Sequence, residues 1–189
     1  MRRWRRSRAP HWIGCWPPDA GGPVPETPAP TGAGKAMIRM TSKAAVMDFV
    51  NQRSLAVVGV SRSGKKFGNT AYRELKAKGY RLVPVHPEAE TLEGDRCARD
   101  LASLSAPVGG VLVIVPPSQA ERVVGEAAAA GIRRVWLQQG AESKAAIQLA
   151  ESKGMSVVAG ECILMFAEPA GFGHRAHRWV KGIFGRLPR

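Results

Sequence analysis

Cysteine is scarce, with Cys15, Cys97 and Cys162 scattered along 189 residues. That spacing excludes a disulfide framework and a thiolate zinc site, and a reduced cytoplasmic setting is expected. Acids are scarce too, at 15 Asp and Glu against 28 Lys and Arg, a net charge of +13. Long apolar runs are missing: nothing approaches the roughly 20 residues that cross a bilayer. The twin arginines near the start resemble an export signal, but no apolar stretch of about 7 to 15 residues follows them, so export is not expected. Clustered Lys and Arg can bind nucleic acid by releasing counterions. Here the excess sits largely in two tails, +4 in residues 1–36 and +5 in 174–189, against +4 over 37–173. Neither tail carries a recognition motif, so no specific nucleic acid partner is expected. Also missing are a Ser-His-Asp set, paired carboxylates at a pocket and a metal-ligand cluster, which favours a binding module over an enzyme.

What is present is a strand, a basic glycine-bearing loop, a helix and a second strand, over Ser54 to Pro87, SLAVVGVSRSGKKFGNTAYRELKAKGYRLVPVHP. Leu55 to Val60 has the length and β-branching of a buried parallel strand, and Gly59 marks the turn. Asn69 to Lys78 reads as a helix whose first turn follows Gly64 and Gly68. Free N–H groups and the positive helix end then face the loop, and an anion suits them.

Three nucleotide readings compete for that loop. An NAD fingerprint needs G-x-G-x-x-G and an acid about 20 positions on. The glycines are Gly59, Gly64 and Gly68, and the second strand ends Pro84, Val85, His86, Pro87, without a carboxylate for a ribose diol. Gly59 to Lys65 satisfies G-x-x-x-x-G-K, but Lys66 stands where a P-loop needs Ser or Thr to hold magnesium. The strand Gly110 to Val115 runs into Pro116 and Pro117 instead of a Walker B aspartate, which argues against an ATPase. A more heavily phosphorylated nucleotide remains, met by Ser61, Arg62, Ser63, Lys65 and Lys66 and by His86 at the second strand's end. Such basic residues could also be merely solvated, but the helix end behind them favours phosphate.

Four segments carry a family resemblance: VVGVSRSGKKFGN (57–69), GYRLVPVHP (79–87), VLVIVPPSQAERVVGEAAAAGI (111–132) and VWLQQG (135–140). In this order and spacing, the chain from about Ser54 to Cys162 resembles the small CoA-binding proteins of bacteria. It is similar also to the N-terminal CoA-binding domain of the succinyl-CoA ligase alpha subunit. The resemblance implies CoA or acyl-CoA as ligand. It sets Gly59 and Val60 to Lys66 (Val60, Ser61, Arg62, Ser63, Gly64, Lys65, Lys66) around the pyrophosphate, and His86 with Pro87 near the 3′-phosphate. Val115, Pro116, Pro117 and Ser118 would line the opposite wall. Leu137, Gln138, Gln139 and Gly140 stand where the ligase has a Thr-Glu-Gly turn against the pantetheine arm, so a carboxylate is lost there. Cys162, in GEC, matches a position that often follows Asp-Arg in these small proteins. It could form a mixed disulfide with the CoA thiol, or be a small buried apolar residue. The ligase subunit's phosphorylated histidine belongs to a second domain that this chain does not include, so ligase chemistry is not carried over.

The remaining chain reads as alternating elements: a short strand and helix within Gly94 to Leu104, the strand Gly110 to Val115, a helix capped by Ser118, a strand at Arg134 to Leu137, a helix at Ala141 to Lys153 and a strand at Ser156 to Ala159. That pattern predicts one α/β domain, a Rossmann-like doubly wound parallel sheet of about five to six strands, with ligand at the carboxyl strand ends. A core of roughly 135 residues suffices for one domain. Thr41 or Ser42 is the expected cap of a lead-in helix, Lys43 to Gln52. Residues 1–36 read as a disordered basic extension, with Met37 or Met40 as alternative starts; 37–165 as the CoA-binding domain; and 166–189 as a basic tail. In that tail His174 and His177 carry no metal set, and HRWVKGIFGRLPR has weak amphipathic character. Trp136 is expected in the core and Cys97 as a structural residue only. The expected function is non-catalytic CoA binding, with an NAD(P)-binding redox or sensor protein, or a CoA-binding accessory subunit of an acyl-CoA ligase, as alternatives. A homodimer or a ligase-type partner is conceivable.

Overall fold

A computed structural model describes residues 41–168. The expected N-terminal extension, its alternative starts, Cys15 and the tail from 169 on, with His174 and His177, lie outside the described residues.

The first helix, α1 (Lys43–Val50), starts where the sequence predicts: the Ser42 side chain accepts from the Ala45 N–H. It leads into β1 (Ser54–Val58), after which α2 (Phe67–Ala77) and β2 (Arg81–Val85) complete the first unit. A two-residue antiparallel pair, β3 (Thr91–Leu92) and β4 (Asp95–Arg96), follows. Then come β5 (Gly110–Val113), α3 (Pro117–Ala129), β6 (Arg134–Gln138), α4 (Lys144–Ser152), β7 (Ser156–Glu161) and a 3-10 turn, Ile163–Met165. The main sheet has five strands in the order β2-β1-β5-β6-β7, all parallel. Chain direction across the sheet reverses between β1 and β5, so the topological switch point lies at their carboxyl ends.

Strand periodicity sorts the core into two layers. Leu55, Val57, Leu112, Trp136 and Val158 pack with α1 and α2 on one face. Ala56, Val111, Val113, Val135 and Leu137 pack with α3 and α4 on the other. Both faces are therefore covered, as the near-continuous apolar strands require. Trp136 is fully buried, as expected, and its indole N–H donates to the Glu161 carbonyl (2.9 Å) with Phe49 and Phe166 against its ring. Packing continues past Met165: Ala167 is fully buried and its carbonyl accepts from the Lys78 ammonium.

Each outer strand has its exposed backbone occupied at one point. On β7, the Thr41 hydroxyl donates to the Ala159 carbonyl and accepts from the Ala159 N–H, each at 3.0 Å. On β2, Ala98 donates to the Pro84 carbonyl and accepts from the His86 N–H.

Two expected elements differ. No helix forms within Gly94 to Leu104: the Ser103 N–H donates to the Asp100 carboxylate and the Asp100 N–H to the Ser103 hydroxyl, closing a local turn. Such side-chain bonds compete with helical ones. Ser118 does not cap α3 either. The cap is Pro116, with Pro117 in the first turn, where its missing N–H costs nothing.

Candidate functional site

Every strand of the main sheet ends on one side, so the loop after β1, the turn after β2, the start of α3, the end of β6 and the residues after β7 share the carboxyl edge. The loop after β1 is fixed by two close backbone approaches. Gly59 has φ +115, and a Cβ there would meet the Ile114 carbonyl oxygen at 2.2 Å. A Cβ on Gly68 would meet the Gly59 carbonyl oxygen at 2.3 Å, so the first turn of α2 sits directly on the end of β1. Only glycine permits this packing of helix on strand.

Between these glycines the chain makes a turn in which Gly64 donates to the Ser61 carbonyl and Ser63 to the Ser61 hydroxyl. Lys66 occupies the cap position of α2 without a side-chain bond to the helix, and the Phe67 and Gly68 amides have no hydrogen-bond partner among the described residues. Lys65 and Lys66 are exposed around these donors. The loop thus offers free amides, a helix end and cations in one place, the elements of an anion cradle.

Asn69, buried to 1% exposure, holds that turn. Its carbonyl accepts from the Ser61 N–H (3.2 Å), and its amide donates to the Ser61 carbonyl (2.7 Å) and to the Glu93 carboxylate (2.7 Å). Arg73, one turn on, donates to Glu93 and to the Gly64 carbonyl. The Asn69 hydrogen bond, with Arg73 behind it, holds the Glu93 carboxyl below its ordinary value although burial opposes this. A second clamp lies beside it. Tyr72 and Lys76 both donate to Asp95, at 2.7 and 2.6 Å. Burial pushes the Asp95 carboxyl up, but the bonds from Lys76 and Tyr72 outweigh it and the net direction is down. Burial and the neighbouring Asp95 keep the Tyr72 phenol protonated.

The turn after β2 lies next to the loop, since Arg62 pairs with Glu88 at 3.3 Å. The His86 Nδ1 accepts from the Glu88 and Ala89 amides, so it shapes the turn and leaves Nε2 for other partners. His86, Pro87, Glu88, Thr91, Arg96, Cys97 and Arg99 line an open groove of about 640 Å³. Arg96 and Arg99 have no carboxylate partner among the described residues. Burial pushes the Cys97 thiol up, away from thiolate chemistry.

Two side chains assigned to the ligand site, one at the pyrophosphate loop and one at the pantetheine turn, point inward. Val60, at 2% exposure, and Leu137, at 0%, belong to the core, so only their backbones are available to a ligand. Gln138 is buried as well and its carbonyl accepts from the Ile163 N–H, tying the end of β6 to the turn after Cys162. Gln139 and Gly140 are exposed, as are Pro116, Pro117 and Ser118, while Val115 and Cys162 are half-buried. Three residues after Gln139, Glu142 accepts from the Gly140 N–H at 2.7 Å. Asn69, Arg73, Glu93 and Glu142 were not singled out from the sequence. Asn69 alone left a signal there, as a poor helix former placed in a first turn.

Among the described residues no group of His, Cys, Asp and Glu is fit to hold a metal, and no helix is long and apolar enough to cross a membrane.

A parallel α/β sheet with a basic, glycine-bounded loop at its switch point defines a Rossmann-like domain of the nucleotide-binding class. More narrowly, the chain belongs to the CoA binding domain family, whose model matches residues 53–168. It is similar to the uncharacterized Bacillus subtilis protein YneT, at 26% identity over 123 residues, 65% of this chain and 91% of that one. It is also similar to the alpha subunit of a Pyrococcus furiosus ADP-forming acetate–CoA ligase II, at 24% identity over 126 residues, 61% of this chain and 28% of the subunit. The chain therefore spans just over a quarter of that ligase subunit. Among solved structures, a conserved hypothetical protein from Pyrococcus furiosus matches with a TM-score of 0.56 at 35% identity, over 59% of this chain and 96% of that one.

Proposed function

We propose that this protein binds CoA or an acyl-CoA reversibly and performs no chemistry by itself, in the cytoplasm. The observation that carries this reading is the loop Gly59–Lys66, whose turn is pinned while the first amides of α2 remain free beside Lys65 and Lys66. An anion held there keeps its hydrogen bonds short and charge-assisted. With the pyrophosphate on the loop, the adenosine end runs toward the turn after β2, where Arg96, Arg99 and His86 line the groove and suit a 3′-phosphate. The pantetheine arm runs toward Gln139, Gly140 and Glu142, and its thiol toward Cys162.

A second reading, a CoA-binding half-site for a ligase partner, is favoured by the likeness to the acetate–CoA ligase alpha subunit. Formation of acyl-CoA only when an ATP-grasp subunit is mixed with this chain would establish it.

The test is calorimetric titration with CoA, dephospho-CoA, acetyl-CoA, NAD and NADP under reducing conditions. CoA binding tighter than dephospho-CoA is the expected result. Binding of NADP alone, or of none of the five, overturns the proposal.

A further inference from the structure

Glu93 lies outside the loop, on the two-residue hairpin between β3 and β4, yet it reaches the loop by two routes. Its Oε1 accepts from the Asn69 amide at 2.7 Å and from Arg73 at 2.9 Å. Asn69 continues to both backbone groups of Ser61, and Arg73 to the Gly64 carbonyl. Ser61 and Gly64 are the two ends of the turn, joined by the Gly64 N–H to Ser61 carbonyl bond. One carboxylate therefore holds the donors that grip both ends.

The carboxylate also reinforces the orientation of the Asn69 amide, which the Ser61 N–H and carbonyl already favour. A flipped amide would set its oxygen against the Glu93 carboxylate and the Ser61 carbonyl, and its N–H₂ against the Ser61 N–H, so three contacts would turn repulsive at once. Only the observed orientation satisfies all three partners. That orientation consumes the Ser61 N–H and leaves the amides at the start of α2 for a ligand.

The position itself is marked by its backbone. Glu93 is the one non-glycine residue with positive φ (+51) among the described residues, and its side chain is only 13% exposed. A bulky acid in the left-handed region, beside Gly94, is costly unless its side chain is needed there.

We propose that Glu93 is a positioning residue for the anion-binding loop, acting through Asn69 and Arg73 on the turn Ser61–Gly64. The inference rests on the proposed CoA binding for its ligand, but the geometry of the loop can be tested without one.

The experiment compares wild type with Glu93→Ala and Glu93→Gln by amide hydrogen exchange and by CoA titration. Exchange at Ser61 and Gly64 is read against the β5 amides, which report global stability. In Glu93→Ala, Ser61 and Gly64 exchange faster by about tenfold with β5 unchanged, and CoA affinity falls by about tenfold. Glu93→Gln, which keeps an acceptor for Asn69, recovers most of both. Unchanged Ser61 exchange in Glu93→Ala, or acceleration only in step with β5, overturns the proposal, as does a loosened loop with undiminished CoA affinity. Should Glu93→Ala not fold, Glu93→Gly, which suits the left-handed backbone, carries the same comparison. Failure of the wild type to bind CoA would sink the ligand assignment while leaving the exchange result to decide the role of Glu93.

Discussion

Gly68 shows how one residue joins fold to site. Its missing Cβ lets α2 rest on the Gly59 carbonyl, and the resulting placement aims the helix start at the loop. Gly68→Ala forces backbone against backbone, which no rotamer can relieve, so it should destabilise by about 1 to 3 kcal/mol and lower the Tm by several degrees in thermal unfolding. Arg62 and Lys65 illustrate the opposite kind of residue, exposed to solvent. Arg62 pairs with Glu88 at the surface, a contact worth about 0 to 1 kcal/mol, so its loss should scarcely move the Tm. In titration with CoA, Arg62→Ala combined with Lys65→Ala should weaken binding at least about tenfold, because each charge-assisted contact contributes about 1.5 to 3 kcal/mol. Unchanged affinity would remove these two side chains from the site. The cations of this loop were legible in the sequence because charge is written directly in residue type. Asn69 and Glu93 were not, because their partners lie 8 and 24 or 20 positions away and only folding brings them together.

At the level of elements, the parallel strands were readable as short β-branched runs, and β1, β2, β5, β6 and β7 stand within a few residues of their expected limits. The stretch after β2 was not. Ala98, Leu101 and Leu104 recur at a three-residue spacing that imitates a helix face, but the Asp100–Ser103 turn takes the backbone bonds first. What forms instead is the β3–β4 hairpin, clamped to α2 by Glu93 and Asp95. Both carboxyls titrate lower in the folded chain than their ordinary values near 4.5 and 3.8. Their clamps therefore contribute fully above that range and lose their contribution as pH falls through the depressed folded values. Thermal unfolding between pH 7 and pH 3 should show a steeper loss of Tm at the acid end for wild type than for Glu93→Gln combined with Asp95→Asn. Both groups are partly solvated, so the difference should be about 1 kcal/mol or less. Identical slopes would mean that the clamps add nothing.

For the whole molecule, ligand and stability are linked. A ligand that binds only the folded domain adds about 2.7 kcal/mol at a hundredfold excess over its Kd, so CoA should raise the Tm by several degrees. Cys162→Ser should keep that rise under reducing conditions and abolish any CoA adduct that forms under oxidising ones, as read by mass spectrometry. Loss of the rise in the serine variant would place the thiol against the ligand instead. The sheet's two borders have a consequence of another kind. An open parallel sheet invites a second molecule to add a strand, and natural proteins blunt such borders. Here Thr41 takes both backbone groups of Ala159, and Ala98 covers Pro84 and His86 at the far side. Copies of this domain are thereby denied a continuous intermolecular sheet at those positions, and a version trimmed past Thr41 would lay the Ala159 backbone groups open to a strand from a second molecule.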